Sequence, residues 1–150
     1  MSEFAMEELA PLIVEVIGEG GEFRLYPKGT SMLPLIRQGL DSVALVSLNR
    51  EPKRGDILLY RRENGQYVLH RLMRCEKDGT LCFSGDNHPE RERGIARDQL
   101  LAIAIAVFRE GKRVSLDCLR MRCYSRLMAS ILFKKTFLFA RRLFTKCKKH

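Results

Sequence analysis

The stretch that decides the fold is residues 55–75, GDILLYRRENGQYVLHRLMRC. Its two apolar segments, 56–62 and 66–75, are separated by polar residues and a glycine, which is the pattern of two strands joined by a tight turn. Successive side chains alternate between the two faces of a strand, so His70 and Tyr67 face opposite sides. The stretch therefore predicts a hairpin that carries a histidine on one face.

Segments of the same character lie on both sides of this hairpin. They are residues 23–25, 42–48, 80–84, 100–109 and 112–116. Many short strands with tight turns predict a mainly β protein, built as a largely antiparallel, partly closed β fold. With 150 residues, 45% of them hydrophobic, the chain is long enough to bury a core as one globular body.

Helices are predicted at both ends of the β body. Residues 5–17 place apolar side chains at helical spacing, and Gly18 ends the pattern. Neither proline nor glycine interrupts the C-terminal segment, in which residues 124–148 predict one helix. The expected organisation is an N-terminal amphipathic helix over 1–18, a β-rich domain over 19–116 and a basic amphipathic C-terminal helix over 117–150.

Charge is divided unevenly between the β body and the C-terminal segment. Residues 1–108 contain 14 Lys and Arg against 16 Asp and Glu, whereas residues 109–150 contain 13 against 2. Paired cations interrupt the apolar runs of this segment, which argues against a membrane-spanning helix. A basic, aromatic-rich helix is typical of peripheral contact with an anionic membrane, although packing on the β body fits the same pattern. The charge would also suit nucleic acid, but no recognisable binding module accompanies it, so nucleic acid is not a predicted partner.

Three short motifs carry the residues of acyl-transfer chemistry. They are Gly29-Thr30-Ser31-Met32-Leu33-Pro34, Tyr67-Val68-Leu69-His70-Arg71 and Ser84-Gly85-Asp86-Asn87. Ser31 offers a nucleophile, and His70, 39 residues later, offers a base that titrates near neutrality. Asp86 offers a carboxylate that would fix the imidazole tautomer and stabilise its charged form. Each residue alone is more typical of a turn or a structural contact, but together they predict a serine peptidase.

In order and spacing, these motifs resemble the signal peptidase I superfamily. The similarity covers about residues 25–108 and rests on the Ser-Met-x-Pro box at Ser31, the Gly-Asp pair at Gly55, the His70-Arg71 pair and the Gly-Asp-Asn turn at Gly85. A histidine followed by arginine, in place of a lysine, resembles the serine-histidine branch of endoplasmic-reticulum and archaeal type. The resemblance implies a signal-peptidase-like fold and a serine endopeptidase that removes a leader or signal segment from a peptide precursor. It implies neither a metal nor a cofactor.

The resemblance also implies a role for each site residue. Ser31 is the expected nucleophile and His70 the expected general base. Asp86 is the first candidate for the acid that orients His70, and Glu92 is the second, because this branch often has an acid at about that distance. The sequence leaves this choice open. The Ser31 backbone N–H and the Thr30 hydroxyl are the expected oxyanion donors, since a glycine occupies the position where family members often have a hydroxyl.

The expected substrate is an extended peptide that lies alongside strands near the serine, as in the family that the chain resembles. Leu33, Leu35 and Ile36 are candidates for lining such a groove. Ordinary core packing is the alternative for these three side chains.

Cysteine usage and the N-terminal sequence bear on the compartment. The five cysteines are an odd number without metal-ligand spacing, and no secretory leader precedes the domain, which favours free thiols in a reducing compartment. Cys75 and Cys82 flank a turn and could face each other across a hairpin. The expected location is the cytoplasm, with peripheral attachment at the inner membrane face through residues 117–150.

Two alternatives to a leader peptidase fit the same sequence. One is a catalytically silent peptide-binding module of the same fold, which the glycine before Thr30 favours. The other is a regulatory protein similar to the self-cleaving repressors. The second alternative is disfavoured because the 30 residues before Ser31 are too few for a helix-turn-helix, and because the base is a histidine.

Overall fold

A computed structural model describes residues 6–147 of the chain and the side chains up to residue 144. Within these residues, three α-helices accompany eight strands that form one antiparallel sheet. The helices are α1 (Met6–Gly18), α2 (Leu119–Met128) and α3 (Ile131–Cys147). The strands are β1 (Phe23–Leu25), β2 (Ser42–Val46), β3 (Ile57–Arg61), β4 (Tyr67–Cys75), β5 (Leu81–Ser84), β6 (Glu92–Ile95), β7 (Leu100–Arg109) and β8 (Lys112–Ser115).

The prediction of a mainly β protein with antiparallel pairing is confirmed. The strands follow the order β1-β2-β7-β3-β4-β5-β6, and β8 pairs with β7. Among the described strands β1 and β6 are the two ends of this path and do not pair with each other, so the sheet is open.

Strand β3 is the centre of the fold because it lies between β4 and β7 and is buried on both faces. Ile57 and Leu59 belong to a core cluster that also contains residues of α1. Leu58 and Tyr60 belong to a second cluster on the opposite face, where the ring of Tyr60 stacks on Phe83 at 4.5 Å between centroids. This two-sided burial explains why four consecutive residues of the strand are hydrophobic.

One strand, β6, was not predicted. Its sequence, Glu92-Arg93-Gly94-Ile95, has no apolar alternation and contains a glycine with positive φ. It becomes a strand by pairing with β5, opposite Leu81 and Phe83. Tertiary pairing therefore overrides a weak local preference here.

The C-terminal segment forms two helices, so the single helix predicted over 124–148 is wrong. The chain leaves the helical path at Ala129 and Ser130, and the Ser130 carbonyl accepts the first α3 bond from the Lys134 N–H at 3.0 Å. Serine favours the start of a helix over its interior, which explains a break without glycine or proline. Residue 148 lies outside the described residues.

Both C-terminal helices pack on the β body. Met121, Met128 and Leu138 are buried, and the Arg54 guanidinium donates to the Ala129 carbonyl at 2.9 Å. The segment is thus part of the folded unit as well as its most basic region. Among residues 6–147, no helix is long and apolar enough to cross a membrane.

The thiols form no disulfide among the described side chains. Cys75 and Cys82 are both free, and they are not direct cross-strand partners, since Cys75 pairs with Leu81 and Cys82 with Arg74. The pairing that their positions around a turn suggested is therefore absent in this part of the chain.

Candidate active site

Ser31 lies in a tight turn between β1 and β2. Single backbone bonds, from the Leu33 N–H to the Thr30 carbonyl at 3.2 Å and from Ile36 to Met32 at 3.0 Å, close this turn without forming a helix. No regular helix therefore begins at Ser31. The physical reason is the proline at position 34, which disfavours the helical conformation of the residue before it.

Two arginines that pair with a buried aspartate fix the far end of this turn. The fully buried Asp41 accepts hydrogen bonds from Arg37 at 2.8 Å and from Arg109 at 3.1 Å. Arg109 also donates to the carbonyl of Leu35 at 2.7 Å. Hydrogen bonds from Arg37 and Arg109 outweigh burial and hold the pKa of Asp41 well below its usual range, so the network stays charged.

Ser31 and His70 both lie next to Gly85. A Cβ atom placed on Gly85 would lie 2.6 Å from the Ser31 carbonyl oxygen, 3.1 Å from Ser31 Cβ and 3.2 Å from His70 Nε2. The next turn residue but one, Asn87, donates its backbone N–H to the Ser31 carbonyl at 2.8 Å. The three sequence motifs are therefore brought together at one point, and only a glycine fits at position 85.

The other ring nitrogen of His70 faces Tyr60. Nδ1 lies 3.4 Å from the Tyr60 hydroxyl, and that hydroxyl donates to Glu92 at 2.7 Å. Because the tyrosine proton is directed at the carboxylate, its oxygen is left to accept the Nδ1–H of His70. This arrangement favours the tautomer with an unprotonated Nε2, the nitrogen that lies beside Gly85.

Burial decides the protonation of His70. Desolvation, helped by the positive charge of Arg62, lowers its pKa from 6.5 to about 4, although the Glu92 carboxylate opposes the change. The imidazole is therefore neutral at pH 7 and able to accept a proton. Glu92 also receives two hydrogen bonds from Arg62, at 2.7 and 2.8 Å.

Asp86, the first candidate for the orienting acid, does not face His70. Its two carboxylate oxygens accept hydrogen bonds from Arg71 at 2.7 Å each, and one also accepts the Tyr124 hydroxyl at 3.1 Å. Asp86 and Arg71 are both fully buried. The structure therefore corrects the expected role: Asp86 is an ion-pair partner of Arg71, and the carboxylate nearest to the imidazole network is that of Glu92.

Two cavities in the described part of the chain meet at the candidate site. One, of about 430 Å³, is bordered by the loop between β5 and β6. The other, of about 210 Å³, is bordered by the chain before Ser31 and by β4. Ser31, Arg62 and His70 line both cavities. A peptide that passes from one cavity to the other would therefore cross the serine.

The predicted groove residues are placed differently from the expectation. Leu35 and Ile36 are buried in the core, and of the three predicted residues only Ile36 also lines the smaller cavity. Leu33 is half-buried and lines neither of the two cavities that contain Ser31. Core packing, the alternative for these side chains, is therefore the observed role of Leu35. Ile36 is also a core residue, although it lines the smaller cavity as well.

The two expected oxyanion donors are not occupied by protein acceptors. Within residues 6–147 the Ser31 N–H and the Thr30 hydroxyl donate no hydrogen bond, and Thr30 is exposed. The same part of the structure contains no hydrogen bond between the Ser31 hydroxyl and His70. Catalytic hydrogen bonds are often loose before substrate binds, so this geometry is compatible with a nucleophile and its base.

Tyr60, which lies beside the candidate base His70, is not among the site residues predicted from the sequence. His70 pairs with Leu58 across β3 and β4, which makes Tyr60 its diagonal neighbour on the same face. The register of the β3–β4 hairpin, in which Leu58 pairs with His70, therefore defines this contact.

No protein-family model, curated protein or solved structure matches the chain.

Proposed function

We propose that this protein is a serine endopeptidase of the signal peptidase I type, which removes a leader segment from a peptide precursor. Ser31 is the nucleophile and His70 is the general base. The observation that carries the proposal is that Ser31 and the Nε2 edge of His70 both lie beside Gly85 and line the same two cavities. A signal-peptidase-like arrangement of this open antiparallel sheet belongs to the same proposal, whereas the partial closure expected from the sequence is absent among the described strands.

The geometry supports the following sequence of proton transfers. Nε2 of His70 takes the proton of the Ser31 hydroxyl while the serine oxygen attacks the peptide carbonyl. The imidazolium donates through Nδ1 to Tyr60, whose hydroxyl is bonded to Glu92, so the carboxylate stabilises the new charge through one intervening residue. The Ser31 N–H and Thr30 stabilise the oxyanion. His70 then protonates the leaving amine, and water releases the acyl group from Ser31.

The pH dependence of cleavage follows from the burial of His70. The base is active when neutral, so kcat/KM is expected to fall as the pH drops through the pKa of about 4 and to stay flat around the ordinary value of 6.5. An internally quenched peptide library, assayed from about pH 8 down to about pH 3, measures this acid limb. Circular dichroism at each pH separates titration of the base from unfolding.

Two outcomes of that profile would contradict the proposed mechanism. An acid limb near the range of a lysine would mean that another base takes the serine proton. A profile without an acid limb, on protein shown to be folded, would mean that no group with a pKa in this range serves as the base. Glu90→Gln is the control for a carboxylate at the same cavity. Glu90 borders that cavity and is exposed, so its replacement should leave the acid limb in place.

A second candidate function is peptide binding without cleavage. The specific observation in its favour is that the described residues show no hydrogen bond between the Ser31 hydroxyl and His70. In that case the same two cavities would hold an extended peptide, and replacement of Ser31 would leave its affinity unchanged. The binding constant of the best library peptide for Ser31→Ala, compared with turnover by the wild type, separates the two functions.

We also propose that the precursor meets the enzyme at the cytoplasmic face of an anionic membrane, which α3 contacts peripherally. Several large apolar side chains of α3 are exposed, including Leu132 at 77%, Phe139 at 64% and Phe144 at 74%. Lys135 and Arg142 are exposed on the same helix. Exposed apolar side chains beside cations are typical of helices that lie in a membrane interface.

The membrane contact is tested with point variants, because removal of residues 117–150 would uncover the core that α2 and α3 bury. Wild-type protein is expected to sediment with vesicles that contain anionic phosphatidylglycerol, and to be released as salt rises, since each cation near such a surface contributes about 1 kcal/mol. Leu132→Gln combined with Phe139→Gln should abolish the binding. Equal binding to neutral phosphatidylcholine vesicles, or none at low salt, would contradict the proposal.

A further inference from the structure

Helix α3 is basic, and one of its lysines, Lys134, is buried. Its side chain is only 2% exposed, whereas its neighbour Lys135 is exposed. Its Nζ donates to the hydroxyl of Ser84 at 2.5 Å. Lysine is almost never fully buried without a partner, so this position calls for a specific role.

Ser84 connects Lys134 to the loop that carries the Gly-Asp-Asn turn. Ser84 is the last residue of β5 and directly precedes Gly85. While its oxygen accepts from Lys134, its own proton reaches the Glu90 carbonyl at 2.6 Å. Through Ser84, the lysine is therefore connected by hydrogen bonds to both the start and the far end of the loop that borders the larger cavity.

A second contact from α3 reaches the same loop. Arg141 donates to the side-chain oxygen of Asn87 at 2.8 Å. The backbone N–H of Asn87 in turn holds the Ser31 carbonyl. Helix α3 thus contacts the loop on both sides of Gly85, the residue beside which Ser31 and His70 lie.

We propose that Lys134 is a positioning residue of the candidate active site, which acts through Ser84 to hold the Gly85-Asp86-Asn87 turn against Ser31 and His70. The catalytic consequence rests on the proposed peptidase function, whereas the structural part does not. Electrostatics supports the assignment, because the Lys134 ammonium is one of the charges that lower the pKa of His70. Burial lowers the pKa of Lys134 itself to about 8, against the attraction of Asp86, so the lysine is mostly charged at pH 7.

The test compares Lys134→Met with Lys135→Met, which makes the same change of charge one residue away. Methionine fills the volume of the buried lysine, and the hydrogen-bond partner left behind is the neutral hydroxyl of Ser84, which keeps its bond to the Glu90 carbonyl. Hydrogen exchange of the Asn87 amide should become at least tenfold faster in Lys134→Met and stay unchanged in Lys135→Met. The pKa of His70, followed by NMR, should rise only in Lys134→Met. Ser84→Ala, which removes the acceptor, should also speed the Asn87 exchange and serves if the methionine variant does not fold.

Both measurements are independent of peptide cleavage, so failure of this inference and failure of the proposed function can be told apart. Unchanged Asn87 exchange in both Lys134→Met and Ser84→Ala would overturn the positioning role. If the wild type cleaves peptides, Lys134→Met should lower kcat about tenfold with little change in KM, since the groups that bind the peptide are untouched. Loss of kcat with wild-type Asn87 exchange would overturn the inference as well.

Discussion

Replacement of Ser31 by alanine is expected to lower kcat for peptide cleavage by about 10⁴-fold or more while the fold stays intact. The alanine removes the only atom that forms the acyl bond, and the cavities, His70 and the oxyanion donors remain in place. Turnover of the best library peptide measures the loss, and thermal unfolding checks the fold. His70→Ala should have a similar effect.

The double variant provides the control for this prediction. Ser31 and His70 act as a unit, so Ser31→Ala combined with His70→Ala should be little worse than either single variant. Losses that multiply would mean that the two residues act independently. Wild-type kinetics in Ser31→Ala would eliminate Ser31 as the nucleophile.

Replacement of Asp86 by asparagine is expected to lower the free energy of unfolding by about 3–5 kcal/mol. The asparagine leaves the fully buried Arg71 without a counter-ion, and a broken buried ion pair is costly because the remaining charge stays desolvated. Urea unfolding measures the change. Asp98→Asn is the matched control, since Asp98 is exposed and should change stability little.

The roles of Asp86 and Glu92 can be told apart, because Asp86→Asn should mainly lower stability and Glu92→Gln should mainly lower kcat. Glu92 is half-buried and stabilises the imidazolium through Tyr60, so its replacement should lower kcat more than stability. If Asp86→Asn instead keeps wild-type stability and loses only kcat, Asp86 is an orienting acid after all. If both variants keep wild-type kcat, Ser31 and His70 form a dyad without a carboxylate.

Much of the β body could be predicted because its strands satisfy local rules. Residues 57–61 and 67–75 fall within the predicted segments, since alternation and flanking turns are encoded in each strand itself. β6 could not be predicted, because its strand state depends on pairing with β5. The break at Ser130 was missed for a related reason: a serine is a weak signal until the packing of the two helices decides its role.

The same distinction between local signals and tertiary contacts applies to the site residues. Ser31 and His70 are close together as their motifs suggested, but the partner of Asp86 was decided by burial and not by motif. Arg71 is adjacent to His70 in sequence and faces the other side of β4, where a buried guanidinium must find a carboxylate. Sequence spacing alone does not show whether Asp86 pairs with His70 or with Arg71. The diagonal contact of Tyr60 with His70, in contrast, follows from the hairpin register.

The most direct test of the central claim is the reaction of the intact protein with a serine-directed fluorophosphonate, located by mass spectrometry of the digest. A fluorophosphonate reacts rapidly only with a serine whose proton is taken by a nearby base. The expected result is a single adduct at Ser31 that is lost in Ser31→Ala and strongly slowed in His70→Ala. If Ser31 in the folded protein is labelled no faster than Ser31 in urea-unfolded protein, His70 does not activate it and the proposed peptidase mechanism is contradicted.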